Sequence, residues 1–131
     1  MPAVDTNIVV RFIVRDDETQ AQRSKAILLD RGVWIAKTVL LETEWVLRST
    51  YKYSRQAMHD ALTDLLGLPG VEAEDSAEVA QALKWFAAGL DFADALHLAS
   101  RPDGARFVTF DEALARQARR AGIASVASVA P

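Results

Sequence analysis

Apolar positions along this chain fall into short runs set between longer stretches of helical periodicity. Ala3-Val4 leads into Asp5 as a short strand. Thr6 through Val14 reads as a helix, with Ile8, Val9, Phe12 and Ile13 at three-and-four spacing. The acidic stretch Asp16-Asp17-Glu18 opens a helix that runs to about Arg31 and stops at Gly32. Val33 to Ala36 is a strand, and Thr38 is the expected N-cap of a helix reaching about Tyr53. Ser54 caps another through about Leu66, Leu68-Pro69-Gly70 turns, and Val71-Glu72-Ala73 is a weak strand. A helix from Ser76 to near Gly89 and one from Asp91 to about Arg101 follow. Pro102-Asp103-Gly104 turns the chain into its strongest strand, Arg106 to Phe110. Asp111 opens a helix ended by Gly122, and Ile123 to Val126 is a last short strand. Apolar runs separated by helices predict an α/β fold whose parallel sheet is covered on both faces.

Length and composition narrow the picture. A chain of 131 residues predicts a single domain spanning 1–131. Half of it is hydrophobic and a quarter charged, which excludes a disordered chain, a collagen and a coiled-coil rod. There is no cysteine, so disulfides, thiolate zinc sites and cysteine nucleophiles are excluded. Only two histidines are present, against a histidine-rich metal centre. A net charge of −3 provides no global basic field, so any nucleic-acid contact must come from local arginines. The N-terminal residues carry no basic targeting region, and no apolar run approaches the roughly 18 residues of a membrane span. The expectation is a soluble, cytoplasmic protein.

The candidate chemistry is carried by carboxylates. Asp5 and Asp111 directly follow predicted strands, where ligands bind in open α/β sheets. Glu42 shares a helical stripe with Val39, Trp45 and Val46, and Asp94 lies between Leu90 and Leu98. A charge on such a stripe is costly unless paired or metal-bound, and no lysine or arginine shares these stripes. Each acid also has a structural reading. Asp5 and Asp111 serve equally well as N-caps, Asp91 and Asp94 as a capping pair, and Glu42 as a partner for Arg11 or Arg48. An oxygen-only ligand set selects magnesium or manganese, and such ions serve phosphate chemistry. Thr6, Asn7 and Thr109 sit beside the acids, where they would orient carboxylates or cap a helix.

Four motifs carry a resemblance to a known family. Asp5-Thr6-Asn7, Leu40 to Leu47 with Glu42 at its centre, Asp91 to Ala99 with Asp94, and Val108-Thr109-Phe110-Asp111 resemble, in order and spacing, those of the PIN-domain nucleases. Within that family the chain is most similar to the VapC toxins of bacterial type II toxin–antitoxin pairs. The resemblance implies a three-layer α/β/α sandwich with a short, mostly parallel central sheet. It implies a magnesium- or manganese-dependent endoribonuclease in which Asp5, Glu42, Asp94 and Asp111 form the metal-binding, catalytic cluster. It also implies a VapB-type antitoxin, which would contact DNA on the toxin's behalf, and a homodimer. No membrane association is expected.

Other positions stay open. Glu44 is two helical positions from Glu42 and faces another way; Asp91 reads as an N-cap, His97 as a packed or partly exposed side chain and His59 as surface. Arg11, Arg15, Arg48 and Arg116 are candidate RNA contacts, and Tyr51 and Tyr53 serve either base stacking or the core. Two alternatives remain: another metal-dependent phosphate hydrolase, or a non-catalytic α/β binding module. A dehalogenase-like phosphatase would want Asp where Asn7 stands, and a receiver domain a late lysine, whereas the last lysine is Lys84.

Overall fold

A computed structural model describes residues 1–129. These form two compact units, Met1–Ser76 and the residues from Ala77 onward.

The first unit opens with a backbone bridge. Ala3 pairs in parallel with Trp34, so the expected first strand is reduced to one bridge. Helix α1 (Thr6–Val14) follows at once, because the Asp5 carboxylate accepts from the Ile8 amide at 3.2 Å. Helix α2 (Glu18–Asp30) is capped by Asp17 in the same way. Gly32, at φ +85°, then feeds strand β1 (Val33–Ile35). A Cβ there would lie 2.7 Å from the Gly70 carbonyl oxygen, so only glycine permits this approach. Helices α3 (Lys37–Ser49) and α4 (Arg55–Leu66) form the crossover to strand β2 (Val71–Ala73). β2 pairs in parallel with β1, Val33 opposite Val71.

Helix α3 departs from expectation at both ends and on its buried face. It is preceded by Ala36, not capped by Thr38; the Lys37 amide instead donates to the Glu74 carboxylate at 2.9 Å. It stops at Ser49, short of Tyr53, and Lys52 just beyond takes a left-handed φ of 58°. Its buried stripe is Leu40, Thr43, Glu44 and Leu47. Glu42 and Trp45 are exposed, so the predicted stripe through Val39, Glu42, Trp45 and Val46 is displaced. The carboxylate that does enter the core is Glu44, 3% exposed and held by Arg48 at 2.9 Å. The hydrophobic pattern misled because Trp45 lies outside while Thr43 and Glu44, each bonded locally, lie inside.

The second unit contains all but the first residue of α5 (Ser76–Ala87), then α6 (Phe92–Ala99), strand β3 (Phe107–Thr109), α7 (Glu112–Arg120) and strand β4 (Val126–Ser128). Phe86 and Phe92 meet edge-on at 5.4 Å in its core. β3 and β4 pair in parallel through α7, Phe107 opposite Val126. β4 begins later than the expected Ile123 start. The Ile123 amide folds back onto the Ala118 carbonyl at 2.9 Å, and Ser125 turns at φ 60° before pairing begins. Arg101 ties the adjoining loops together by donating to the carbonyls of Ala105, Ala124 and Ser125.

The short parallel strands and abundant helices agree with the expected α/β class. Cover on both strand faces is incomplete. Trp34 on β1 is 37% exposed and Val108 on β3 is 52% exposed. Strands of three residues are too short for an apolar run to distinguish two buried faces from one. Among the described residues no helix is long and apolar enough to cross a membrane.

Candidate functional site

The acids singled out by sequence fall two to each unit. In the first, Asp5 stands at the start of α1, exposed, with Oδ1 occupied by the cap. Thr6, next to it and 9% exposed, donates its hydroxyl to Glu42 Oε1. That bond joins α1 to α3 and brings Glu42 to the residue beside Asp5. Thr6 therefore positions a carboxylate as well as beginning a helix. Asn7 is exposed.

In the second unit Asp94 occupies the third position of α6. Its own amide donates to the N-cap Asp91 at 3.1 Å, so Asp91 is the cap that sequence suggested. The Asp94 side chain has no hydrogen bond or ion pair among the described residues. Burial pushes its carboxyl above the ordinary range; Asp91 and Asp111 push the same way, while His97 opposes them. Asp111 follows β3 and caps α7, its Oδ1 accepting from Leu114 at 3.0 Å. The Asp111 amide donates to Thr109 Oγ1 at 2.9 Å, which holds the turn between strand and helix. The structural reading of Asp5 and Asp111 as N-caps therefore holds. Each cap uses one carboxylate oxygen and leaves the other without a protein partner among the described residues.

Within neither unit do three Asp, Glu or His side chains gather closely enough to hold a metal among the described residues. The donor chemistry still suits a hard cation. Burial, Asp91 and Asp111 raise the Asp94 carboxyl against the opposing pull of His97, and a divalent ion would favour its charged form instead.

The candidate RNA-contacting arginines separate in the structure. Arg11 meets Asp16 at 2.8 Å, Arg15 lies 3.6 Å from Glu18, and Arg48 holds Glu44. Arg116 is exposed on α7 and makes no ion pair among the described residues. Tyr51 is neither a free stacking platform nor plain core: its hydroxyl donates to Asp16 at 3.0 Å. The Arg11 and Tyr51 hydrogen bonds hold the Asp16 carboxyl below its ordinary range. His59 is less exposed than expected; its side chain is 25% exposed with a buried Nδ1, 3.6 Å from Asp60. His97 is exposed one helical turn beyond Asp94. Sequence reading missed the buried Glu44–Arg48 pair, although their four-residue spacing on one helix was the available signal.

The PIN domain family model matches residues 3–120. A search of curated proteins finds no match. Among solved structures, the chain is similar to the Mycobacterium tuberculosis toxin VapC20, described as cleaving the sarcin–ricin loop. The two share 20% identity with a TM-score of 0.45, over 98% of this chain and 89% of the other.

Proposed function

The chain belongs to the PIN domain family, and from that premise we propose that it is a divalent-metal-dependent endoribonuclease acting as the toxin of a toxin–antitoxin pair. The observation that carries the reading is Asp94: a partly buried carboxyl raised above its ordinary range by burial, Asp91 and Asp111 against the opposing pull of His97, with no hydrogen bond or ion pair of its own among the described residues. Such a group is costly as a structural element and useful as a ligand. The register of the four sequence motifs supports the toxin assignment. Asp5, Glu42, Asp94 and Asp111 are the proposed metal-binding and catalytic acids. The preferred ion is magnesium or manganese, since every donor is a carboxylate oxygen.

When bound, the ion supplies positive charge that makes a water a better nucleophile and offsets charge developing on the phosphodiester. The protein's own part is positioning. Thr6 fixes one Glu42 oxygen, so that carboxylate is oriented before any ligand arrives. The caps at Asp5 and Asp111 each hold one carboxylate oxygen against a backbone amide and leave the other without a protein partner among the described residues. Asp94 must lose its proton to act as a ligand, so occupancy should fall in acid. The proposed step is hydrolysis: a water oxygen would attack phosphorus in line, the opposite P–O ester bond would break, and the leaving oxygen would depart as a hydroxyl carrying one of the water's protons. A VapB-type antitoxin and a second copy of the chain are the proposed protein partners, in a cytoplasmic setting.

The test is cleavage of a mixed cellular RNA pool by antitoxin-free protein with manganese, magnesium or chelator, beside Asp5→Asn. Discrete fragments that need the metal and vanish in the variant are expected. Silence in all three conditions, with no metal-induced rise in melting temperature, would return the chain to the binding-module reading.

A further inference from the structure

Strand β3 presents an open face that runs directly into Asp111. Exposure alternates along it: Arg106, Val108 and Phe110 point out, while Phe107 and Thr109 are partly covered. Val108 is 52% exposed and Phe110 71%, the highest exposure among the chain's large hydrophobic residues. The neighbouring strand extends the patch. The Val129 amide donates to the Thr109 carbonyl at 2.8 Å, which sets Val129, 39% exposed, beside Phe110. Arg106 makes no hydrogen bond or ion pair among the described residues. Across β3 and the one residue flanking it on each side, the face therefore offers an unpaired guanidinium, an aliphatic floor and an exposed aromatic ring, ending one residue from a proposed catalytic acid.

We infer that this face is a binding strip for single-stranded RNA, with a base stacked on Phe110 and a phosphate paired with Arg106, leading the strand to Asp111. The inference rests on the nuclease reading above and adds to it the conformation of the substrate and the residues that hold it. Charge and shape favour this occupant. A stacked base takes the flat apolar ring, the phosphate takes the lone cation, and neither needs the sequence-reading polar groups that the strip lacks. A duplex hides its base faces in the stack and would leave Phe110 unused.

The test is fluorescence anisotropy of the full chain in chelator, using a labelled short oligoadenylate, the same strand annealed to its complement, and an abasic version. Phe110→Ala should weaken binding of the single strand about tenfold or more, and Phe110→Trp should restore it. The loss should disappear with the abasic probe, a readout that a structural role for Phe110 would not produce. Arg106→Gln should lower the slope of log affinity against log salt by about 0.7, one phosphate contact on a single strand. A parent chain that binds and cuts RNA while both variants bind as it does overturns the strip and leaves the nuclease reading intact. So does a Phe110→Ala chain that turns from dimer to monomer with RNA affinity unchanged, which gives the face to a second copy. A parent that neither binds nor cuts RNA removes both readings.

Discussion

The two units handle charge in opposite ways. In the first, Arg11 meets Asp16, Arg48 meets Glu44, Lys37 meets Asp75, and Glu42 accepts from Thr6. In the second, Asp94, Arg106, Arg116, Arg119 and Arg120 form no ion pair among the described residues, and Asp94 is partly buried as well. Paired charges fix geometry at little net cost. An unpaired, partly buried acid beside two others opposes folding and is relieved by a ligand of opposite charge. The first unit thus reads as a frame in which these charges are paired, although the buried His59 Nδ1 has no hydrogen-bond partner among the described residues. The second holds charged groups with no ion pair among the described residues.

The comparison breaks most visibly at Asp94. Asp94→Asn should reduce metal-dependent cleavage by about two orders of magnitude or more. In chelator at neutral pH the same variant should melt higher than the parent. The folded-state pKa is raised, so folding favours the protonated acid. Parent stability is therefore undiminished below the unfolded-state value and falls as pH rises toward the folded one. The advantage of Asn should close as pH drops below the ordinary carboxylate range. Melting curves across pH, with chelator and then with manganese, check both halves. A variant that cuts RNA as the parent does would end the assignment.

The frame should respond in the opposite sense. Arg48→Ala leaves the Glu44 carboxylate, 5% exposed at its side chain, without its cation. Arg48 is itself half-exposed, so the expected loss is about 1–3 kcal/mol by urea unfolding rather than the larger figure for a fully buried pair. Replacing both, Glu44→Leu with Arg48→Met, should recover most of it, because no charge is then left stranded. A comparable loss of about 1–3 kcal/mol is expected for Gly32→Ala, where a positive φ and a 2.7 Å approach to the Gly70 oxygen both oppose a methyl group.

What sequence made legible follows the same division. Features set by local chemistry are readable: Asp5, Asp111 and Ser54 all cap the helices expected of them. The strand Val71–Ala73 stands where the turn before it requires. Features set by packing are not. The α3 stripe was misread because a tryptophan lies outside and a glutamate inside, and that choice depends on Arg48 being one turn away. The end of α3 is not marked in the sequence because Thr50 caps it in ordinary helical backbone, with no glycine or proline nearby, and the left-handed turn at Lys52 comes two residues later. The open face of β3 was invisible because an apolar run reads the same whether one side or both are covered. Of the candidate site, the identities of the acids came from their motifs. The pairing of Glu42 with Thr6, thirty-six positions earlier, came from the fold.

That pairing yields the smallest expected effect and the finest test of the frame. Thr6 is almost wholly buried, so Thr6→Val keeps its shape and branching while removing one hydroxyl. Glu42 is exposed, and water can take over as donor, so the stability loss should be only about 0.5–1.5 kcal/mol. Orientation is what water does not restore. If Thr6 serves to aim Glu42, cleavage should fall about tenfold in Thr6→Val, more than the stability change explains, and Thr6→Ser should retain most of the rate. If the hydroxyl only ties α1 to α3, Val should lose stability as expected, Ser only what its missing methyl costs, and both should cut alike. Rate and unfolding free energy measured on the same three proteins separate the two roles.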